Sequence, residues 1–428
     1  LELKRSIVEV GQGIRQLISS QRSEFIQNFF STMQLLAAGN DTEGLRYGTI
    51  ETPQKYYLKW REDSPITNPL DRAITQLFSK DRFLEIVHDF IVFDSGIKKV
   101  PRHNQYFGVK AAQEYVDRKK GGIIWHTQGS GKSLTMVWLA KWILEHDPAA
   151  RVLIVTDRIE LDKQIAAVFK GVGETIKQSR SGQGLLADLN KTEERLMCSL
   201  IHKFGASAGT DTTDSAYTEY IKQIQESVPS DFEAKGNIFV FVDECHRTQS
   251  GKLHQAMKTI LPDATFIGFT GTPLLKKDKA TSREVFGPYI HTYKFDEAVA
   301  DGVIVDLRYE ARDIDQRISS QEKIDAWFET HTRELTEVAK ARLKKRWGTM
   351  REILSSKDRL DQIAADIELD MATRPRLMDG HGNAILVAAN IYEACVFYER
   401  FSQGPLKGKC AIVTSYRPHA GDIATEDV

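Results

Sequence analysis

Cysteine, long apolar runs and net charge are all scarce in this chain, and each scarcity removes a class of protein. Cysteine occurs four times in 428 residues, at Cys198, Cys245, Cys395 and Cys410, with no C-x-x-C spacing. That argues against a zinc site and a disulfide framework and suits a reducing cytosol. No apolar run reaches the length of about 18 residues that a membrane span needs. Net charge is −1, from 58 basic and 59 acidic side chains. No global basic field advertises nucleic acid, so any contact with DNA has to come from a local groove. What remains is an ordinary globular composition, 41% hydrophobic and 27% charged, in a chain long enough for two or three domains.

One stretch stands out against that plain background. An apolar run, Gly122-Ile123-Ile124-Trp125, leads into His126-Thr127-Gln128-Gly129-Ser130-Gly131-Lys132-Ser133, and a helical pattern follows. A glycine-rich turn between a strand and a helix can wrap phosphate oxygens with its main-chain N–H groups. Lys132 would reach the β- and γ-phosphates, and the Ser133 hydroxyl would ligate Mg²⁺. The full pattern asks for glycine at 126, where this chain has His, but Gly129 and Gly131 supply the close approach. Further on, Asn237–Val242 reads as a buried parallel strand ending in Asp243-Glu244-Cys245-His246. Ligands of open parallel sheets sit at that end. Asp243 is assigned to the metal and Glu244 to the attacking water. The cofactors expected from these residues are therefore a nucleotide and Mg²⁺.

From 102 onward strands alternate with helices. Strands are expected at Ile123–Trp125, Val152–Thr156, Leu196–Ile201, Ile238–Val242 and Thr265–Phe269, with helices at Leu134–Glu145 and Leu161–Phe169. That alternation predicts an α/β doubly wound parallel sheet. Before it, helices are expected around Val8–Ser20, Phe25–Ala38, Leu70–Leu77 and Arg82–Phe90. Gly205–Ser215 reads as an exposed loop, and 320–372 as a charged helical connector. A second α/β pattern opens with strands at Asn383–Ala388 and Lys409–Thr414 around a helix at Ile391–Phe401. The division predicted is 1–100, 101–305, 306–382 and 383–428. The first residues read as the inside of a strand, and the sequence is expected to be part of a longer protein.

The order of motifs resembles superfamily-2 helicases and translocases. Gly129-Ser130-Gly131-Lys132-Ser133 comes first, then Asp243-Glu244-Cys245-His246, then Gly268-Phe269-Thr270-Gly271-Thr272-Pro273. With Trp125-His126-Thr127-Gln128, Arg247 and Phe286-Gly287-Pro288-Tyr289-Ile290-His291, the chain is similar to the motor subunit of type I restriction endonucleases. The resemblance implies a RecA-like sheet, complete in the first lobe and partial in the second. It implies that Gln105 reads adenine and that Thr127 and Gln128 belong to the nucleotide loop. Thr270, Gly271 and Thr272 would couple nucleotide state to DNA, with Arg158 in Thr156-Asp157-Arg158 touching a DNA phosphate. It also implies an N-terminal PD-(D/E)xK nuclease. Glu2-Leu3-Lys4 matches its E-x-K half, with Glu2 on Mg²⁺ and Lys4 on the charged phosphate, and Gln16 matches its glutamine motif with Ser20 in place of Tyr. The partners implied are double-stranded DNA and the modification (methyltransferase) and specificity subunits, with no membrane.

On this pattern the upstream Asp strand of the nuclease and the second-lobe arginine motif fall outside residues 1–428. The expectation is a chain that binds ATP better than it turns it over and does not cut alone. Alternatives are a remodelling-type or type III restriction motor, and a nucleotide-gated binding module without turnover. Lys276, Lys277 and Lys279 could contact phosphate or form a solvated loop. His126 and His246 could sense the nucleotide or simply pack.

Overall fold

The computed structural model describes residues 1–156, 159–179, 182–200, 234–245, 260–272, 286–312, 335–347, 357–375, 377–380 and 382–414, with positions 228, 232, 257, 258, 329, 330, 332 and 333 besides. Arg158, His246, Arg247, Pro273, the three lysines at 276, 277 and 279, and the Gly205–Ser215 stretch lie outside the described residues. The chain divides into two compact units, Leu1–Asp306 and Leu307–Val428.

The first unit opens with strand β1 (Glu2–Leu3), helix α1 (Val10–Ser20), a short helix α2 (Gln27–Ser31), and strands β2 (Leu36–Asn40) and β3 (Gly44–Gly48). β1 pairs parallel to β2, and β2 antiparallel to β3. The long helix expected over Phe25–Ala38 is therefore corrected: it is one short turn followed by a strand. The Leu-Ala run favours helix locally, but β2 is flanked by partners on both edges and buried along its length. Ladder pairing and burial outweigh a weak intrinsic preference. Helices α3 (Pro69–Leu77) and α4 (Lys80–Glu85) follow, then a π turn at Ile86–Phe90 and a small hairpin, β4 (Val92–Asp94) and β5 (Ile97–Lys99). Asn68 caps α3 with its side-chain oxygen on the N–H groups of Leu70 and Asp71, and Pro69 suits the first helical position.

Among the described residues the main sheet has seven strands. They are β6 (Gly122–His126), β7 (Ala150–Thr156), β8 (Lys177–Ser179), β9 (Leu196–Leu200), β10 (Asn237–Asp243), β11 (Thr265–Thr270) and β12 (Tyr289–Tyr293). Their spatial order is β12-β6-β11-β10-β7-β9-β8, and every pairing is parallel. Connecting helices are α5 (His103–Asp117) before β6, α6 (Lys132–His146), α7 (Ile159–Gly171), α8 (Gly182–Leu189) and α9 (Phe295–Ala300). Alternation along the strands splits the interior in two. Ile124, Val152, Ile154, Phe239, Phe241, Ile267 and Phe269 join one core with residues of α5 and α6. Their neighbours Ile123, Leu153, Val155, Val240, Val242 and Phe266 join another with α8 and Leu261. A sheet buried on both faces needs apolar residues in succession, which is why its strands read as continuous runs. Tyr47, Trp60 and Leu77 of the N-terminal region belong to the first core, so that region and the sheet share an interior. The five strands expected in the sheet are all present; β8 and β12, at its two edges, are additional.

In the second unit, helices at Lys357–Thr373 and Ile391–Gln403 pack through Leu360, Ala364, Phe397 and Phe401. The strands expected at Asn383–Ala388 and Lys409–Thr414 are not formed among the described residues; Ile385 and Val387 stand 92% and 86% exposed. A strand is stabilised by its neighbours, and apolar residues alone do not make one. Among the described residues no helix is long and apolar enough to cross a membrane.

Candidate functional site

Register brings three separated stretches to one edge. In the parallel ladder Asp243 stands opposite Phe269, and Thr270 opposite Trp125. The C-terminal ends of β10, β11 and β6 therefore align, with adjacent strands about 4.8 Å apart. The turn after β6, the Thr270–Thr272 turn and the Asp243–Glu244 pair are neighbours because of that alignment. This is the edge where open parallel sheets bind ligands.

The loop after β6 is built for close approach. Gly129 and Gly131 hold φ of 82° and 92°, in the region that penalises any side chain. Thr127 N donates to Tyr293 O at 2.9 Å, and Ser130 N to Thr127 O at 3.2 Å, so the loop is tied to the edge strand β12 and folded on itself. Gly131 caps α6, whose free N–H groups and dipole favour an anion just ahead of Lys132 and Ser133.

Lys132 Nζ lies 3.9 Å from Glu244 Oε1. Glu244 has a φ of 48°, one of four non-glycine residues in that region among the described residues. A non-glycine residue there costs about 1–2 kcal/mol. Such strain collects at functional sites, and here the sharp turn at the end of β10 accompanies the approach of the Glu244 carboxylate to the loop lysine. Asp243 is buried, and its Oδ1 accepts from Glu244 N at 3.0 Å. Gly271 presses on the same lysine: a Cβ there would sit 2.7 Å from Lys132 Nζ and 3.1 Å from Gln128 N. Thr270 Oγ1 accepts from Thr272 N at 3.2 Å and closes that turn.

Gln105 sits against the loop from α5. Its Nε2 donates to Gly131 O at 3.0 Å, and its Oε1 accepts from Arg102 N at 2.9 Å. An amide offers two donors and two acceptor sites, so one of each remains for a base edge. Arg102 Nη1 donates to Ser130 O at 3.2 Å, and burial lowers its pKa. Beneath the loop, His126 and His291 share a hydrogen bond at 2.9 Å. Burial, then the neighbouring His291 and Lys132, pushes His126 well below its usual value, and burial takes His291 down to about 4. Both rings are neutral at physiological pH. Burial also pushes the Cys245 thiol up, so it is an inert core group.

The residues present fit ATP with Mg²⁺. Two glycines open the loop, one lysine faces its mouth, and a hydroxyl (Ser133) and a carboxylate (Asp243) stand at neighbouring element ends. Among the described residues no group of three or more His, Cys, Asp or Glu could hold a metal ion. Mg²⁺ habitually takes one or two protein ligands and completes its shell with phosphate and water, so no such cage is required.

A second cluster lies at the N-terminus. Lys4 Nζ is 2.8 Å from Glu2 Oε1 and 2.5 Å from Gln16 Oε1. Gly13 lets α1 lie close over this strand: a Cβ there would be 3.4 Å from Lys4 Cγ and 3.5 Å from Glu2 Cγ. The three residues singled out from the sequence are thus together. Sequence reasoning missed Arg102 and Tyr293, which bond to the glycine loop, and His103 and Asp301, which contact Tyr293. Tyr293 and Asp301 come from the far end of the unit, and no local pattern marks them.

Residues 104–341 match the family model described as SWI2/SNF2 ATPase. The chain is 30% identical over 426 residues to a putative type I restriction enzyme MjaIXP endonuclease subunit of Methanocaldococcus jannaschii, covering 96% of this chain and 38% of that protein. It is 30% identical over 349 residues to the type I restriction enzyme HindI endonuclease subunit of Haemophilus influenzae, covering 75% of this chain and 31% of that one. The chain thus spans about a third of the length of the curated relatives it matches. A solved structure of the Type ISP restriction-modification enzyme LlaGI, a nuclease-deletion mutant with a DNA substrate mimic, is similar at a TM-score of 0.35 and 14% identity, covering 73% of this chain and 30% of that one.

Proposed function

The chain belongs to the SWI2/SNF2 ATPase family, and from that premise we propose that it is the ATP-binding motor portion of a type I restriction endonuclease subunit, acting on double-stranded DNA. The observation that carries this reading is the meeting of Lys132, Glu244 and Gly271 at one sheet edge. Bound there, ATP would supply the phosphoanhydride bond and Mg²⁺ the charge that neutralises it. The N–H groups of residues 129–133 would hold phosphate oxygens, and Lys132 would reach the outer phosphates. Ser133 and Asp243 would hold the metal. Glu244 would orient water and accept its proton at a carboxylate oxygen. Gln105 would pair with the adenine edge, and Thr270–Thr272 would link the nucleotide to DNA, together with Arg158.

The N-terminal region is read as part of the nuclease domain of the same subunit, with Glu2 as metal ligand and Lys4 facing the phosphate. The support is the Glu2–Lys4–Gln16 cluster and the printed names of the relatives, which are endonuclease subunits. Modification and specificity subunits are the partners this reading implies, in the cytoplasm. Turnover in this family needs an arginine from the second lobe, worth about 10³–10⁵ in rate. ATPase of the full-length protein, with and without duplex DNA, tests the reading. Stimulation by duplex supports a DNA motor; ATP binding with no turnover under either condition would favour a nucleotide-gated binding module.

A further inference from the structure

Asp301 closes α9, far in sequence from the loop it turns out to serve. Its side chain is 5% exposed. Oδ2 accepts from Tyr293 OH at 2.8 Å and lies 3.3 Å from His103 Nε2. Oδ1 lies 3.3 Å from Arg61 Nη1, whose other arm pairs with Glu297 at 3.0 Å. Burial by itself would raise the carboxyl pKa, but the bonds from His103 and Tyr293 and the charge of Arg61 outweigh it and hold the group ionised.

Its partners lead straight to the nucleotide edge. His103 begins α5, two residues ahead of Gln105. Tyr293 holds Asp301 with its hydroxyl, and its main-chain oxygen accepts from Thr127 N at the start of the loop. One carboxylate is thus a single residue away from both the base-reading turn and the phosphate loop. The two meet with little slack: a Cβ on Gly131 would lie 2.4 Å from Gln105 Nε2. A shift of α5 by a few tenths of an ångström would be felt there.

We propose that Asp301 is a positioning residue for nucleotide binding, its carboxylate fixing the Arg102–Gln105 turn against the phosphate loop so that base and phosphates are gripped in register. This rests on residues 129–133 being an ATP site. A carboxylate is suited to the task because it alone accepts from a tyrosine, a histidine and an arginine at once. A buried apolar residue in its place would leave the Tyr293 hydroxyl and His103 Nε2 without an acceptor.

The test is calorimetric titration of ATP, GTP and inorganic tripolyphosphate into the 428-residue chain. It compares wild type, Asp301→Ala, Asp301→Asn, Gln105→Ala, the double variant Gln105→Ala/Asp301→Ala, and Lys132→Ala. Asp301→Ala should weaken ATP by about tenfold, the worth of a good hydrogen bond. It should lower the ATP-over-GTP preference toward that of Gln105→Ala and leave tripolyphosphate unchanged. The double variant should be no weaker than Gln105→Ala, because coupled residues do not add. Should Asp301→Ala fail to fold, Asp301→Asn decides. It keeps the shape and one acceptor, and it should show a smaller ATP loss with tripolyphosphate again unchanged. Unchanged ATP binding, equal loss of all three ligands, or full additivity with Gln105→Ala overturns the proposal, as does a wild type with no preference for ATP over GTP. Failure of the site itself has a different signature: Lys132→Ala would then keep both ATP and tripolyphosphate.

Discussion

Replacing Gly271 with alanine adds a single methyl group at the point where three motifs converge. That methyl would lie 2.7 Å from Lys132 Nζ and 3.1 Å from the main-chain N of Gln128. The ammonium must withdraw by about 0.7 Å to reach ordinary contact, while the backbone of Gln128 needs to give only slightly. Lysine ends move easily, so overpacking should cost folding only about 1 kcal/mol, or about 1–2 °C in Tm for a unit of this size. Nucleotide binding should suffer far more. A hydrogen bond from a charged group is worth about 1.5–3 kcal/mol, and losing it raises Kd about ten- to a hundredfold. Titration calorimetry with ATP and Mg²⁺, beside a thermal melt of the same sample, reads both quantities. An ATP affinity within about twofold of wild type, with the melt unchanged, would show that Gly271 does not govern Lys132.

Three further outcomes are expected. In the full-length protein, Glu244→Gln should keep ATP binding and lower turnover by about 10²–10⁴, the usual worth of a general base; normal hydrolysis would remove Glu244 from that role. Lys4→Ala in the full-length protein should leave a motor that consumes ATP and does not cut plasmid, and linearisation at the wild-type rate would make the Glu2–Lys4–Gln16 cluster an ordinary strand end. Acid should destabilise the fold through His126 and His291. Their folded pKa values lie below the unfolded value of about 6.5, so the unfolded chain takes up protons first, and their contribution is full above that value and lost as pH falls, for His291 toward about 4. Lowering pH from 7.5 to 5 should cost about 2 kcal/mol through His291. His291→Gln should flatten the Tm-against-pH curve, and an undiminished slope would place the acid sensitivity elsewhere.

The meeting of Lys132, Glu244 and Gly271 at one sheet edge was legible because the parts that carry them are local. A strand, a glycine turn and a lysine at the head of a helix are adjacent in sequence, and so are β10 and the Asp243–Glu244 pair. The inner strands β7, β10 and β11 are buried on both faces and read as apolar runs. The edge strand β12 is half buried, and Tyr289-Ile290-His291-Thr292-Tyr293 mixes polar and aromatic residues with no clear period. Strand β2 reads as helix in the sequence because Leu36-Ala37-Ala38 carries no mark of its two partner strands. The network around Asp301 could not have been found from spacing: Arg61, His103 and Asp301 meet across separations of 240 and about 200 residues. Long-range ion pairs leave no trace in the pattern of a single sequence.

Titration of ATP with Mg²⁺ into the wild-type chain and into Lys132→Ala tests the central claim most directly. Wild type should bind one nucleotide per chain. Lys132→Ala, whose side chain sits at the loop mouth 3.9 Å from Glu244, should keep a native far-ultraviolet spectrum and show no measurable binding at the same concentrations. Binding of ATP by Lys132→Ala with wild-type affinity would contradict the account, because the nucleotide would then lie somewhere other than the edge formed by β6, β11 and β10.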